Sequence, residues 1–258
     1  MDIWSYRAFP VAMVAISVYR PWVMPSQVWI IVEDEASAMG FPSADSQAIA
    51  RMVEALQRAI AQTHPGCEVK VTPFSHLKAL SLPDSEVLFC PLSLNIPNSV
   101  IGSLQPPLYR ACQDVEGLRT VVAEQWQVAT GTGNLWLPVV LTDKGPIYGE
   151  AIGLADEQQP GCEEIVQYIQ PVHLPDLWRQ PIYALGRRLL QWLEAPPATY
   201  LIQFGWDEQG LWFDRLWPFP GIPALASLGV QDPDLFTCHW YCLTGQPIYD
   251  LTIVPVRK

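Results

Sequence analysis

Apolar and polar positions fall into two differently patterned halves. Gln27-Val-Trp-Ile-Ile-Val32 is an apolar run that reads as a strand, and it ends in the acidic trio Glu33-Asp34-Glu35. A helix follows: Ser43 or Asp45 can cap it, and Ile49, Met52, Val53, Leu56 and Ile60 recur on one face. His64-Pro65-Gly66 stops it. Cys67 to Val71 alternates like a strand, Leu77 to Leu82 fits a short helix, and Glu86 to Cys90 is a buried strand. Upstream, Val11 to Tyr19 also has strand character before the Pro21–Pro25 corner. Strands alternating with helices predict an α/β layer, βαβαβ, on a parallel sheet.

The second half is patterned differently. Residues 91–110 are rich in Pro, Ser and Asn and read as a linker. The chain therefore divides into an α/β N-terminal domain, 1–98, and an α+β C-terminal domain, 99–258. Asp114 to Gln127 predicts a helix, and Thr130-Gly-Thr-Gly-Asn134 a loop. Leu135 to Leu141 and Ile147 to Leu154 form a hairpin about Asp143-Lys-Gly145. A long helix starts at Leu174-Pro-Asp176 and runs to Leu193, with Leu177, Ile182, Leu185, Leu189, Trp192 and Leu193 as its apolar stripe. Tyr200 to Phe204 and Leu211 to Leu216 form a second hairpin, which exits into Trp217-Pro-Phe-Pro-Gly221 and an apolar, helix-like stretch.

Composition narrows the function classes. A net charge of −11, with scattered arginines of which only Arg187 and Arg188 are adjacent, argues against a nucleic-acid partner. The 11 tryptophans need burial or a partner; Trp29, Trp136 and Trp212 lie in strand-like runs and suit the core, whereas Trp4, Trp22 and Trp217 suit the surface. Six cysteines without scaffold spacing read as reduced, buried thiols of a cytoplasmic protein. Ala8 to Tyr19 is too short to span a bilayer, so no stable membrane insertion is expected.

Three stretches carry candidate chemistry. The Thr130–Gly133 loop is either a plain loop or an anion cradle; it lacks the Gly-Lys-Ser/Thr ending of a P-loop. Cys238 and Cys242 lie one helical turn apart beside His239, but a zinc site needs four ligands and no second pair exists, so packing is the expected role. Glu33, Asp34 and Glu35 stand at a strand end, where α/β sheets place ligands; they either hold Mg²⁺ or are solvated. No dinucleotide fingerprint follows the first strand.

From Leu135 onward the stretches LWLPVVLTDKGPIYGEAIGL, LPDLWRQPIYALGRRLLQWLEAPPATYLIQFGWDEQGLWF and the corner WPFP resemble, in layout, the C-terminal half of carboxylase-type ATP-grasp enzymes. The resemblance covers about 120 residues, and ALASLGVQDPDLFTCHWYCLTGQPI resembles the family's closing helix. It implies a Glu-x-Asn-Pro-Arg-Pro type strand exit, whose acid and amide hold Mg²⁺ beside ATP and whose arginine meets phosphate or substrate. Aligning the prolines with Pro218 and Pro220 sets Arg215 at the acid, Trp217 at the amide and Phe219 at the arginine. Asp214 falls one residue away, on the opposite face of a regular strand. The stretch before Leu135 is also short for a nucleotide-covering region.

Phosphoryl transfer rests on metals and cations. The expectation is therefore a non-catalytic scaffold without cofactor that binds another protein through Trp217, Phe219 and Arg215, unless those rings are core. The alternative is a divergent ATP-dependent carboxylate-amine ligase using ATP and Mg²⁺, in which Asp214, Glu150, Glu33, Asp34 and Glu35 converge with Thr130, Gly131 and Gly133 on one cleft.

Overall fold

The computed structural model describes residues 24–33, 44–77, 87–95, 107–155 and 167–255. The expected strand at Val11–Tyr19, the acids Asp34 and Glu35, and the acidic loop after Ala155 lie outside these residues.

Three parallel strands form the N-terminal layer in the order β2-β1-β3: β1 (Gln27–Val32), β2 (Glu68–Pro73) and β3 (Val87–Pro91). Val28 to Val32 are all buried, as a parallel strand covered on both faces requires. Helix α1 (Ala44–Thr63) lays Met52, Leu56 and Ile60 into the core and ends before His64-Pro65-Gly66. The short α2 (Phe74–Leu77) ends where the predicted 77–82 helix begins, and 78–86 lie outside the described residues.

At the end of the stretch 91–110 read as a linker, and running past it, residues 107–113 form α3 (Pro107–Gln113), with Leu108, Tyr109 and Cys112 buried. Helix α4 (Val115–Trp126) follows, capped by the Asp114 side chain accepting from the Gly117 N–H.

A seven-stranded sheet holds the rest, ordered β4-β10-β9-β5-β7-β8 with β6 paired to the free end of β5. Its strands are β4 (Ala129–Thr130), β5 (Leu135–Thr142), β6 (Gly145–Tyr148), β7 (Ala151–Leu154), β8 (Tyr168–Val172), β9 (Ala198–Trp206) and β10 (Leu211–Trp217). Both predicted hairpins are present, but the return strand of the first is split at Gly149-Glu150 into β6 and β7.

Side chains alternate along β5. Leu137 and Val139 face a layer made by α3, α4 and α5 (Asp176–Trp192), whereas Trp136 and Val140 face the opposite way. That second face meets α6 (Leu235–Thr244) and a 3₁₀ helix, Ile222–Ser227, which also touch α1. The short pair β11 (Gln231–Asp232) and β12 (Thr252–Ile253) closes the chain. One apolar cluster thus runs from β1 and α1 through α6 to Leu201 and Phe219, across residue 98. The Trp240 indole N–H donates to Thr63 Oγ1 at 2.7 Å, tying α6 to the end of α1.

On α5 the buried positions are Ile182, Leu185, Leu189 and Leu190, while Leu177 and Trp192, expected on the same stripe, are 70% and 47% exposed. Leu177 lies about 80° around the helix from Leu185, its nearest buried row, whereas Trp192 is only about 20° from that row and is exposed at the last helical residue.

Candidate functional site

The sheet brings Asp214 and Arg215 together with Thr130, Gly131 and Gly133 around β10. Between β9 and β10 the pairing runs Phe213↔Phe204 and then Arg215↔Gln203, so Asp214 is an extra residue in a β-bulge. The bulge changes the alternation that would send Asp214 to the face opposite Phe213: the buried Asp214 carboxylate meets Arg119 of α4, the helix whose Leu118 and Val122 share a cluster with Phe213. The Asp214 carboxylate accepts from Arg119 Nη2 at 2.6 Å and Arg215 Nε at 3.1 Å on Oδ1, and from the Gly133 N–H at 2.9 Å on Oδ2. Arg119 also donates to the Asp214 carbonyl, the Gly131 carbonyl and Glu116.

The same bonds account for the Thr130–Gly133 loop. The Gly131 N–H donates to the Phe213 carbonyl, Trp212 Nε1 to the Thr132 carbonyl and Gln203 Nε2 to the Gly133 carbonyl. Thr130 itself is the last residue of β4, beside Phe213. A Cβ on Gly133 would lie 2.2 Å from the Phe204 carbonyl, so only glycine fits there. The small residues serve close approach to β9 and β10, and the N–H groups of Gly131 and Gly133 are both engaged within the protein.

Past the bulge the corner turns apolar. Trp217 is half-buried; its indole N–H donates to Gln203 Oε1, and the Arg215 guanidinium lies 5.9 Å from its ring. Phe219 is 2% exposed, edge-on to Trp217 and stacked 6.3 Å from Tyr109 on α3. It is a core residue, and of the three expected partner contacts only Trp217 and Arg215 reach the surface.

The other candidates stand in separate groups. Glu33 Oε1 accepts from Ser93 Oγ at 2.5 Å and Asn95 Nδ2 at 2.8 Å, just beyond the ends of β1 and β3. Because β2 and β3 flank β1 on opposite sides, this is the point where the strand order reverses, the position of ligand crevices in open α/β sheets. Glu150 lies between β6 and β7 with Oε2 4.0 Å from His173 Nδ1. Cys238 and Cys242 are buried on α6; burial pushes the Cys242 thiol up to about 12 and Cys238 well above its ordinary value. His239, between them, accepts from the Thr199 N–H, and burial drives it down to about 3. Among the described residues no three His, Cys, Asp or Glu side chains gather as a metal site.

Sequence reasoning missed Arg119 and Gln203. Arg119 lies 95 residues from Asp214, and its helix carries nothing that marks it.

Solved structures carry the same architecture. Glycinamide-RNase-transformylase T from Mycobacterium tuberculosis superposes with a TM-score of 0.58 at 15% identity, over 86% of this chain and 80% of that one. The ADP complex of N5-carboxyaminoimidazole ribonucleotide synthetase gives 0.63 at 11% identity, over 90% and 80%. D-alanyl-alanine synthetase A from Vibrio cholerae gives 0.62 at 7% identity, over 87% and 99%. The chain has an ATP-grasp-like fold. No protein-family model matches the sequence, and no curated protein matches it either.

The ATP-grasp-like fold implies a metal–nucleotide at the β10 corner, and the residues there do not fit one. Asp214, the one acid at the bulge, has both oxygens occupied by protein donors and no exposed surface. Phe219 is packed on Tyr109, and the Trp217 N–H is spent on Gln203.

Proposed function

We propose that this chain is a non-catalytic, cytoplasmic protein that uses an ATP-grasp-like fold as a scaffold for binding another protein. The observation that carries this reading is the Asp214 bond set. The carboxylate nearest the fold's metal-binding corner is locked between Arg119, Arg215 and the Gly133 N–H, out of reach of solvent. A buried carboxylate with two cations and an amide already satisfied has a structural role, because freeing it for a metal would leave Arg119 without its buried partner. Among the described residues no helix is long and apolar enough to cross a membrane.

Calorimetric titration of the purified protein with ATP, with and without Mg²⁺, tests the reading. A flat titration is expected. Metal-dependent binding near 1 μM, about 8 kcal/mol, would overturn it.

One observation favours a second reading. Glu33, Ser93 and Asn95 form a polar group at the strand-order reversal, and solved structures of similar fold are named as synthetases. A divergent ATP-dependent carboxylate-amine ligase would use that crevice for substrate. The same titration decides between the two.

A further inference from the structure

Helix α5 turns an unusual ridge outward. Leu177, Pro181, Ala184, Arg188 and Trp192 follow at helical spacing, all exposed, over about 22 Å of helix. The ridge is high at its ends and low in the middle, where Pro181 and Ala184 lie. Beside the low point is a surface cavity of about 160 Å³, lined by Trp126, Val128, Pro181, Ala184, Leu185 and Arg188. Trp126 stands edge-on to Trp192 at 6.3 Å, and at the other end Trp178 lies 6.4 Å from Trp206. Four of the 11 tryptophans therefore border this one face.

Charge gives the face a preference. The chain carries −11 overall, yet α5 holds three arginines. Arg179 lies 3.7 Å from Asp176, whereas neither Arg187 nor Arg188 has an acidic partner among the described residues. The Arg188 guanidinium lies 4.8 Å over the Trp126 ring, at the mouth of the cavity.

We propose that this face, at the low point of the ridge, seats an acidic amphipathic helix of a partner protein. One large apolar side chain enters the cavity over Ala184, and carboxylates a turn away meet Arg187 and Arg188. An apolar socket of one side chain's size beside a cation lying on an aromatic ring is the arrangement of an interface hot spot. The low centre between Leu177 and Trp192 suits a rod laid across the ridge, with the arginines selecting its charge. The proposal rests on the protein-binding reading above and locates its surface away from the β10 corner.

Fluorescence anisotropy of two labelled helical peptides against the full chain tests it. Both carry the same Leu/Trp stripe; one has glutamates on its polar face and the other lysines. The acidic peptide is expected to bind at least about tenfold more tightly, with the difference shrinking as salt is added. Ala184→Arg, at an exposed position, fills the cavity and is expected to weaken the acidic peptide at least about tenfold. Arg188→Glu is expected to shift the preference toward the lysine peptide.

Equal affinity for both peptides, or indifference to Ala184→Arg, would overturn the proposal. So would self-association of the chain that Ala184→Arg abolishes while neither peptide binds, since the occupant would then be a second copy. ATP binding in the calorimeter would sink the non-catalytic reading without touching the peptide result, so the two failures are separable.

Discussion

Replacing Asp214 with asparagine keeps the shape of the side chain and removes its charge. The carboxylate receives three hydrogen bonds, from Arg119 Nη2 (2.6 Å), Arg215 Nε (3.1 Å) and the Gly133 N–H (2.9 Å). All are charge-assisted, worth about 1.5–3 kcal/mol each against about 0.5–1.5 for neutral bonds, so each loses roughly 1 kcal/mol. Arg215 has a third of its side chain in solvent, so its share is halved by screening. The asparagine NH₂ also has to face a donor, since all three neighbours donate. The expected loss is about 3 kcal/mol, at the low end of the range for breaking a buried pair because Arg119 keeps some exposure.

Urea unfolding followed by tryptophan fluorescence measures it as a lower midpoint at unchanged slope. A cycle with Arg119→Met separates the pair from its surroundings, and a coupling of about 1–2 kcal/mol is expected. A loss under about 0.5 kcal/mol, or additivity in the cycle, would refute the reasoning that Asp214 is a structural clasp.

Two further outcomes follow from burial. Phe219→Ala should cost about 3–5 kcal/mol in the same assay, because the ring is packed between Tyr109 and Trp217 in the larger apolar cluster; a neutral change would return Phe219 to the surface. His239 is held neutral when folded, with its pKa near 3 against 6.5, so the unfolded chain binds a proton first as pH falls. Its contribution is fully present above pH 6.5 and declines by about 1.4 kcal/mol per pH unit down to about pH 3. Stability should therefore drop about 2 kcal/mol from this group between pH 7.5 and 5, and His239→Asn, which can still accept from Thr199, should flatten that part of the urea-midpoint profile.

Local pattern was enough to place β1, α1, β3, α4, β5, α5 and the β9–β10 hairpin within a residue or two, because each couples a strong apolar period to a readable stop. His64-Pro65-Gly66, which ends α1, is an example, as is Asp114 at the start of α4. Two-residue strands such as β4 and β11 have no period of their own and exist only through their neighbours. Helix α3 was hidden by its prolines, although Pro107 suits a first turn. At the site, Asp214 and Gly133 were both visible as candidates, but their relation was not. It depends on a bulge, which alternation cannot foresee, and on Arg119, brought in by tertiary packing alone. Leu177 and Trp192 were misread as core because helical period registers apolar residues and is silent both on which row meets the sheet and on where along the helix the cover stops.

The clasp of Trp240 onto Thr63 spans 177 positions of sequence. At ribosomal rates of about 5–20 residues per second, α1 leaves the exit tunnel on the order of 10–35 s before the helix that completes its packing. During that interval Met52, Leu56 and Ile60 have the parallel strands for cover but lack α6 and the 3₁₀ helix. Synthesis of this chain thus leaves an apolar layer unfinished, until residue 244 has emerged, for many times longer than a small domain takes to fold.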